Sequence, residues 1–533
     1  MTDPAAPSPQ ASPQVSEALR KGYAFTGPVV ELGAVVVDGS PVPDAPVRVP
    51  LAMMNRHGLV AGATGTGKTK TLQQLAEQLA AQGVPVFVAD IKGDLSGLSQ
   101  PGVADERLTA RAASVGQQWT ATSFPVEYLA LGGQGTGVPV RATITSFGPM
   151  LLAKVLDLNE TQTSSLALVF HFADKAGLPL LDLKDLRSVV QYLVSAEGKA
   201  DLQGLGGLSA ATAGVILREL VAFADAGADV FFGEPEFDTA DLLRTGPDGR
   251  GVISCLELAA VQDRPALFST FLLWLLADLF HELPEVGDLD RPKLAFFFDE
   301  AHLLFKDASK ALVEQISQTV RLIRSKGVGI FFVTQSPKDV HRDVLAQLGN
   351  RVQHALRAYT PDDAKALRAV VSTFPNSDYD LGELLTTLAI GEAVVTVLSE
   401  RGAPTPVAWT RLRAPQSSMA PAPPAGVAAA VAASPLNAEY GTAVDRESAY
   451  ERLAAKLAPP APVPQPAPVP APQQAPAPAS RRPEREESVV EQVITSSAFK
   501  SFLRSAGTVL GREVTRSVLG TARTTRSRSR RRR

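Results

Sequence analysis

The residues best suited to chemistry form a glycine-rich octapeptide at positions 62–69, Gly-Ala-Thr-Gly-Thr-Gly-Lys-Thr. Glycines let backbone N–H groups converge on phosphate oxygens, and a following helix N-terminus adds partial positive charge. The apolar residues 57–61 predict a strand before the octapeptide, and the periodicity of 68–82 predicts a helix after it. Because a phosphate-binding loop requires this context, we predict that the octapeptide binds a nucleotide.

The loop also carries the side chains that a nucleoside triphosphate and its metal ion require. Lys68 would reach the β- and γ-phosphates, and the Thr69 hydroxyl would ligate Mg²⁺. We therefore expect ATP and Mg²⁺ as ligands, the alternative being a glycine-rich turn that binds no nucleotide. The predicted nucleotide-binding residues are Gly62, Ala63, Thr64, Gly65, Thr66, Gly67, Lys68, Thr69 and Lys70.

A second segment, residues 293–302, reads Lys-Leu-Ala-Phe-Phe-Phe-Asp-Glu-Ala-His and predicts an apolar strand that ends in two acids. Such a strand is the expected acidic partner of a phosphate loop, giving a Walker A and Walker B pair. Asp299 would hold Mg²⁺ through water, and Glu300 would polarise the attacking water as a general base. An apolar run followed by two acids is a weak signal alone, and the phosphate loop strengthens it.

Two further polar positions follow predicted strands. Gln335 ends the segment Gly-Ile-Phe-Phe-Val-Thr-Gln, where its neutral amide would hydrogen-bond the γ-phosphate or the attacking water. The alternative is an ordinary polar strand end. Asp94 closes Asp-Ile-Lys-Gly-Asp at 90–94, either near the attacking water and metal or in a turn with side-chain-to-backbone hydrogen bonds. His302 is expected to be structural.

Cations precede the Gln335 strand, in Arg-Leu-Ile-Arg-Ser-Lys-Gly-Val-Gly at 321–329. Arg321 and Arg324 are three residues apart and share a helix face. We expect Arg324, with Arg321 beside it, to reach the γ-phosphate of a neighbouring subunit. The alternatives are a solvated basic face or the usual preference for cations at a helix C-terminus. Arg351 and Arg357 are competing choices.

These segments resemble the HerA/FtsK superfamily of ring-forming, DNA-pumping ATPases, and more closely its YjgR-type branch of HerA-like helicase proteins. The resemblance rests on the octapeptide, Asp-Ile-Lys-Gly-Asp, Phe-Phe-Phe-Asp-Glu-Ala-His, Arg-Ser-Lys-Gly-Val-Gly and Val-Thr-Gln-Ser-Pro. It covers about residues 20–413 and extends to 496–520. It implies a RecA-like α/β core, a homo-hexameric ring and translocation on duplex DNA.

We therefore expect an ATPase that acts as a DNA helicase or translocase. The main alternative is an ATPase that moves or regulates a protein partner without acting on nucleic acid. A third is a nucleotide-gated interaction protein with negligible turnover, against which Glu300 and Gln335 argue. Stimulation of ATP hydrolysis by duplex DNA would distinguish the first from the others.

The expected fold is α/β, a RecA-like P-loop core with a mainly parallel sheet, a helical insertion and a disordered Pro/Ala-rich C-terminal linker. The predicted boundaries are 1–20 disordered, 21–100 first part of the core, 101–250 largely helical insertion, 251–413 second part of the core, 414–480 linker with one short helix, 481–520 C-terminal helix and 521–533 basic tail.

Composition bounds the remaining choices. The formal net charge is −3, so the whole chain gives no reason to expect a polyanion partner, although eleven Lys/Arg and one acid lie between residues 499 and 533. Those cations would contact nucleic acid or anionic lipid, or remain solvated. The only cysteine is Cys255, no secretory signal is evident, and the apolar stretch 266–280 reads as a buried helix too short to cross a bilayer. We expect a cytoplasmic protein.

Overall fold

The computed structural model describes residues 15–202, 204–305 and 310–457, except the side chains of residues 265, 266 and 268. This part forms two compact units. The first contains 15–142, 151–159 and 218–445, and the second contains 143–150, 160–217 and 446–457. The predicted C-terminal helix at 481–520 and the basic tail at 521–533 lie outside the described residues.

A sheet of twelve strands dominates the first unit, in the order β2-β1-β12-β11-β10-β3-β9-β8-β4-β7-β5-β6. The strands from β10 to β6 run parallel, and the four at the other side pair antiparallel. The predicted α/β class with a mainly parallel sheet is confirmed. The strands are β1 (Val29–Val37), β2 (Ser40–Pro50), β3 (Gly58–Ala61), β4 (Val86–Asp90), β5 (Val126–Leu131), β6 (Val138–Val140), β7 (Ile253–Glu257), β8 (Leu294–Phe298), β9 (Val328–Thr334), β10 (Asn350–Gln353), β11 (Glu392–Thr396) and β12 (Ala408–Leu412).

The central strands are buried along their whole length, which explains their continuous apolar sequences. Every residue of β3, β4, β8 and β9 is buried, as expected where helices cover both faces of a parallel sheet. Aromatic rings pack between neighbouring strands, with Phe297 and Phe331 stacked at 4.9 Å between centroids. This packing holds the carboxyl ends of β3, β9, β8 and β4 side by side.

Helices connect the strands and form most of the second unit. Helix α10 carries the apolar stretch that the sequence places in the interior, and Phe271, Trp274 and Leu275 on it are buried. Among the described helices, none combines the length and apolar character needed to cross a bilayer. The helices are α1 (Glu17–Gly22), α2 (Lys68–Ala81), α3 (Glu106–Ser114), α4 (Ile144–Phe147), α5 (Pro149–Val155), α6 (Glu160–Lys175), α7 (Leu183–Val194), α8 (Ala196–Asp201), α9 (Ala210–Asp225), α10 (Pro265–Glu282), α11 (Lys310–Ile323), α12 (Arg342–Leu345), α13 (Pro361–Val371), α14 (Leu381–Thr387), α15 (Pro424–Ala433), α16 (Pro435–Tyr440) and α17 (Ala449–Leu457).

The segment 101–250 differs from the predicted, largely helical insertion, because β5 and β6 extend the sheet beyond β7. Strand β5 has the sequence Val-Glu-Tyr-Leu-Ala-Leu between Pro125 and the pair Gly132-Gly133. Those flanking residues favour a loop prediction, but they only bound a short strand here. Helices α6 to α9 lie further along this segment.

The two ends of the predicted core also differ from expectation. Residues 17–22 form helix α1, capped by the Ser16 hydroxyl, within the N-terminus predicted to be disordered. The linker predicted at 414–480, with one short helix, contains α15, α16 and α17 in its described part, residues 414–457. Alanine is the best helix former, and Pro424 and Pro435 stand at first helical positions, where proline is tolerated.

The second unit is a helical cluster in which α17 packs against α7. The buried Asp185 carboxylate, in the first turn of α7, accepts hydrogen bonds from Tyr450 N at 2.9 Å and from the Ser448 hydroxyl. Leu453 of α17 is also buried. The described end of the chain is therefore part of a packed structure.

Candidate nucleotide site

The glycine-rich loop joins β3 to α2 and adopts backbone conformations that require glycine. The φ angles of Gly62, Gly65 and Gly67 are +155°, +80° and +109°. A Cβ at Gly62 would lie 2.5 Å from the Cβ of His354, so no larger residue fits there. Helix α2 begins at Lys68, directly after the loop, and its first N–H groups are free to meet an anion.

Lys68 already points into the loop that it is predicted to serve. Its ammonium donates to the carbonyl oxygen of Ala63 at 3.1 Å, and the Thr66 hydroxyl donates to the same oxygen at 2.8 Å. Burial lowers the pKa of Lys68, while nearby Glu300 acts in the opposite direction. A phosphate oxygen is a stronger acceptor for an ammonium than a backbone carbonyl, so the cation is placed to transfer to it.

The two acids predicted at the end of β8 lie beside the loop, and both are buried. Burial raises the pKa of Asp299 to about 7, although Lys92 acts to lower it. The Oδ2 atom of Asp299 is buried and has no hydrogen-bond partner among the described residues. A buried carboxylate oxygen without a partner fits a cation site, so the residues here suit Mg²⁺.

Glu300 has a different environment from its neighbour. Its Oε1 forms an ion pair with the Lys92 ammonium, and its Oε2 lies 3.2 Å from Nδ1 of His302. Burial raises the pKa of Glu300, but Lys92, His302 and Lys68 together lower it by more, and the net shift is downward. Its backbone φ is +47°, which is uncommon for a residue other than glycine. Glu300 is therefore an ionised, fixed carboxylate.

Lys92 is not among the predicted site residues, although the motif at 90–94 contains it between Asp90 and Asp94. Asp90 ends β4 and accepts hydrogen bonds from the N–H groups of Lys92 at 3.2 Å, Gly93 at 2.8 Å and Leu95 at 2.9 Å. The turn is thus made by Asp90, and Asp94 Oδ1 is buried without a partner among the described residues. The sequence does contain a signal for Lys92, namely a lysine between two acids directly after an apolar strand. The structure adds that this strand pairs with β8.

Gln335 lies at the same edge of the sheet as the loop and the two acids. It directly follows β9, which pairs with β3 on one side and β8 on the other. Its side chain is exposed, whereas Thr334 before it is buried. The amide is therefore available to a ligand at this edge.

Arg321 and Arg324 do not reach the loop of their own chain. Arg324 precedes β9, whose amino end lies at the opposite edge of the parallel sheet, about 20 Å away along seven residues. Both side chains are exposed. Arg357 instead donates from Nη2 to the Thr64 carbonyl oxygen at 3.4 Å, and Arg351 donates to backbone carbonyls, including that of Thr373 at 2.9 Å.

Lys70 and Thr69 follow the loop in the first turn of α2. The Lys70 ammonium donates to the Met419 carbonyl oxygen at 2.7 Å and to Gln73 at 3.2 Å. Its side chain therefore faces away from the loop, and only its backbone N–H remains for a phosphate. Thr69 is half-buried beside Lys68.

The comparisons with known proteins concern the family and the fold of the chain. A sequence profile described as "Helicase HerA-like C-terminal" matches residues 37–528. The DNA double-strand break repair helicase HerA of Sulfolobus acidocaldarius is 23% identical over 356 residues, covering 66% of this chain and 64% of that protein. The protein of the same name from Sulfurisphaera tokodaii is 35% identical over 98 residues, covering 18% of this chain and 19% of that protein.

Two solved structures share the fold. The plasmid coupling protein TrwB in complex with a non-hydrolysable ATP analogue has a TM-score of 0.50 and 17% identity, over 79% of this chain and 98% of that chain. Its complex with ADP and Mg²⁺ has a TM-score of 0.50 and 18% identity, over 77% and 94% of the two chains. At this level of identity the match concerns the fold alone.

Proposed function

The chain belongs to the helicase HerA-like C-terminal family, and from this membership and the site we propose that it is an ATP-hydrolysing motor. The observation that carries the proposal is the meeting of three strand ends at one sheet edge. There β3 leads into the phosphate loop, β8 into Asp299 and Glu300, and β9 into Gln335. A turn that bound no nucleotide would not need this arrangement.

The residues divide the work of phosphoryl transfer to water. The loop N–H groups and Lys68 bind and orient the β- and γ-phosphates, while Glu300 takes the proton of the attacking water. Gln335 hydrogen-bonds the γ-phosphate or that water. Thr69 and Asp299 would hold Mg²⁺, which supplies positive charge to the phosphate oxygens when bound. Water attacks the γ-phosphorus, the bond to the β,γ-bridging oxygen breaks, and ADP and phosphate leave.

We further propose that hydrolysis drives movement on, or remodelling of, duplex DNA by a cytoplasmic homo-hexamer. The HerA relatives bear the name of DNA double-strand break repair helicases, and this chain covers 64% of the first of them. The DNA substrate is proposed from the names of these relatives, and the ring from the resemblance to ring-forming ATPases.

An ATPase assay of the full chain with Mg²⁺ tests the proposal. Phosphate release is measured for the protein alone and with added duplex DNA, single-stranded DNA or RNA. We expect turnover that duplex DNA increases and that Lys68→Ala abolishes, because this variant lacks the cation for the phosphates. Turnover without any response to nucleic acid would support the alternative of a motor for a protein partner. Absence of turnover under all these conditions would contradict the proposal.

A further inference from the structure

Lys92 and Glu300 are brought together by neighbouring parallel strands. Strand β4 pairs with β8, with Ala89 opposite Phe298, so the turn after β4 lies beside the acids after β8. Three hydrogen bonds from the turn to the Asp90 carboxylate fix its backbone. The Lys92 side chain then extends to Glu300 from an element that does not belong to the phosphate loop.

The contact leaves the two oxygens of the Glu300 carboxylate in different states. Lys92 occupies Oε1. Oε2 is buried, and although His302 Nδ1 is 3.2 Å away, Oε2 has no hydrogen-bond partner among the described residues. A general base needs one oxygen free to accept a hydrogen bond from water and a fixed orientation for it. In Glu300, Lys92 fixes Oε1, and Oε2 is the oxygen left without a partner.

Two simpler explanations of the contact are less consistent with the structure. An ordinary surface ion pair joins two exposed groups and contributes little, whereas the Glu300 side chain is only 8% exposed and that of Lys92 is 46% exposed. A second phosphate-binding lysine would be directed at the loop, but Lys92 is directed at the carboxylate. The contact therefore concerns the base rather than nucleotide binding.

We propose that Lys92 is a positioning residue, which holds Oε1 of Glu300 so that Oε2 faces the attacking water. This inference rests on the proposed ATPase activity. It predicts that loss of the Lys92 ammonium slows the chemical step while leaving nucleotide binding intact. An arginine at this position would restore part of the rate because it retains a cation.

The test compares full-length wild type with Lys92→Met, Lys92→Ala and Lys92→Arg. Methionine keeps much of the length of the side chain without its charge. We expect kcat for ATP to fall about 10- to 100-fold in Lys92→Met and Lys92→Ala, with KM changed less than about 3-fold. Lys92→Arg should recover part of the loss. Lys310→Ala is the matched control, since Lys310 forms a 3.8 Å pair with Glu314 on an exposed surface.

Combination with Glu300→Gln separates positioning from a general structural effect. In single-turnover measurements, Lys92→Met should lower the rate of the Glu300→Gln variant by less than about 2-fold. The reason is that Lys92 acts through the Glu300 carboxylate, which this variant lacks. An unchanged kcat in Lys92→Met would overturn the inference, as would a change confined to KM or an equal loss in the Glu300→Gln background. An inactive wild type would instead contradict the proposed function. If Lys92→Ala fails to fold, Lys92→Met and Lys92→Arg decide the question.

Discussion

At the residue scale, two adjacent acids at the end of β8 have opposite electrostatic environments. Burial raises the pKa of Asp299 to about 7 and one of its oxygens has no partner among the described residues, so this carboxyl group suits a cation. Burial also raises the pKa of Glu300, but the hydrogen bond and charge of Lys92, with the charges of His302 and Lys68, bring the net shift below the usual value. Groups with such different surroundings suit different tasks, a metal ligand and a base.

The first prediction separates binding from hydrolysis at this pair. Glu300→Gln should bind Mg²⁺–ATP with an affinity close to that of wild type, because Lys68 and the loop are unchanged. Its turnover should fall about 10²- to 10⁴-fold, which is the usual contribution of a general base. Binding is measured by calorimetry and turnover by phosphate release. Glu314→Gln, on the exposed surface of α11, is the control, and normal turnover in Glu300→Gln would refute the assignment.

The second prediction concerns pH and the buried histidine behind the loop. His354 is fully buried, and its Nε2 lies 2.9 Å from the Thr71 hydroxyl. Burial lowers its pKa from 6.5 to about 3. The neutral ring is thus favoured in the folded state, while the unfolded state takes up a proton below pH 6.5. Stability from this group is present above pH 6.5 and is lost as the pH falls toward 3.

If this histidine takes up a proton only in the unfolded state, the free energy of unfolding should be about 2 kcal/mol lower at pH 5 than at pH 7. Urea unfolding of the nucleotide-free protein at pH 7 and pH 5 measures it, with His354→Gln for comparison. The variant should lose about 2 kcal/mol less than wild type between the two pH values, whatever its stability at pH 7. His57, whose pKa burial lowers to about 4, contributes equally to both proteins. Equal losses in wild type and variant would show that His354 does not titrate in this way.

At the scale of elements, helix α2 connects the phosphate loop to a segment that the sequence assigns to a linker. We name residues 414–422 the C-terminal strap. The buried Glu77 carboxylate accepts hydrogen bonds from Gln416 N at 2.8 Å and from the N–H of Ser417 at 3.0 Å. Gln73 donates to the Ser418 carbonyl oxygen at 2.8 Å, and Lys70 donates to the Met419 carbonyl oxygen. The polar side chains on one face of α2 therefore have their hydrogen-bond partners in the strap.

The third prediction tests this dependence. Glu77→Ala removes the acceptor for two strap N–H groups, which would remain without partners in a buried environment. The free energy of unfolding should fall by about 2–4 kcal/mol, since each such group costs about 1–3 kcal/mol. Chemical denaturation measures the loss, and Glu314→Ala, which removes an exposed carboxylate, should change stability by less than about 0.5 kcal/mol. A similar small change in Glu77→Ala would mean that the strap is not held by this carboxylate.

The elements that the sequence predicts well are those with strong local signals. The β3–loop–α2 unit and strands β8 and β9 combine apolar runs with polar residues at their ends, and all three appear where expected. The strap and the Lys92–Glu300 contact depend on partners distant in the chain, such as Glu77 with Ser417, which periodicity does not indicate. The sequence does not predict strand β5, because the proline and glycines beside it are typical of loops.

At the scale of the whole molecule, the proposed hydrolysis needs a cation besides Lys68. Negative charge that develops on the γ-phosphate needs a cation, and Lys68 already serves the bound phosphates. Arg324 is exposed at the edge of the sheet opposite its own loop, and Arg357 is beside its own loop. These positions give two distinct schemes. In a ring, Arg324 would act on a neighbouring subunit, whereas Arg357 lies beside the loop of its own chain.

The last prediction distinguishes the two schemes by mixing inactive subunits. Lys68→Ala and Arg324→Ala should each be nearly inactive alone while still assembling, and should regain activity when mixed. In a random equal mixture, about a quarter of the interfaces would join an intact loop to an intact Arg324, following from head-to-tail ring contacts. Arg357→Ala mixed with Lys68→Ala should stay inactive if Arg357 acts within its chain, because neither subunit then has a complete site. Recovery only in the Arg357 mixture would reverse the assignment, and a fully active monomer by light scattering with Mg²⁺–ATP would contradict the ring mechanism.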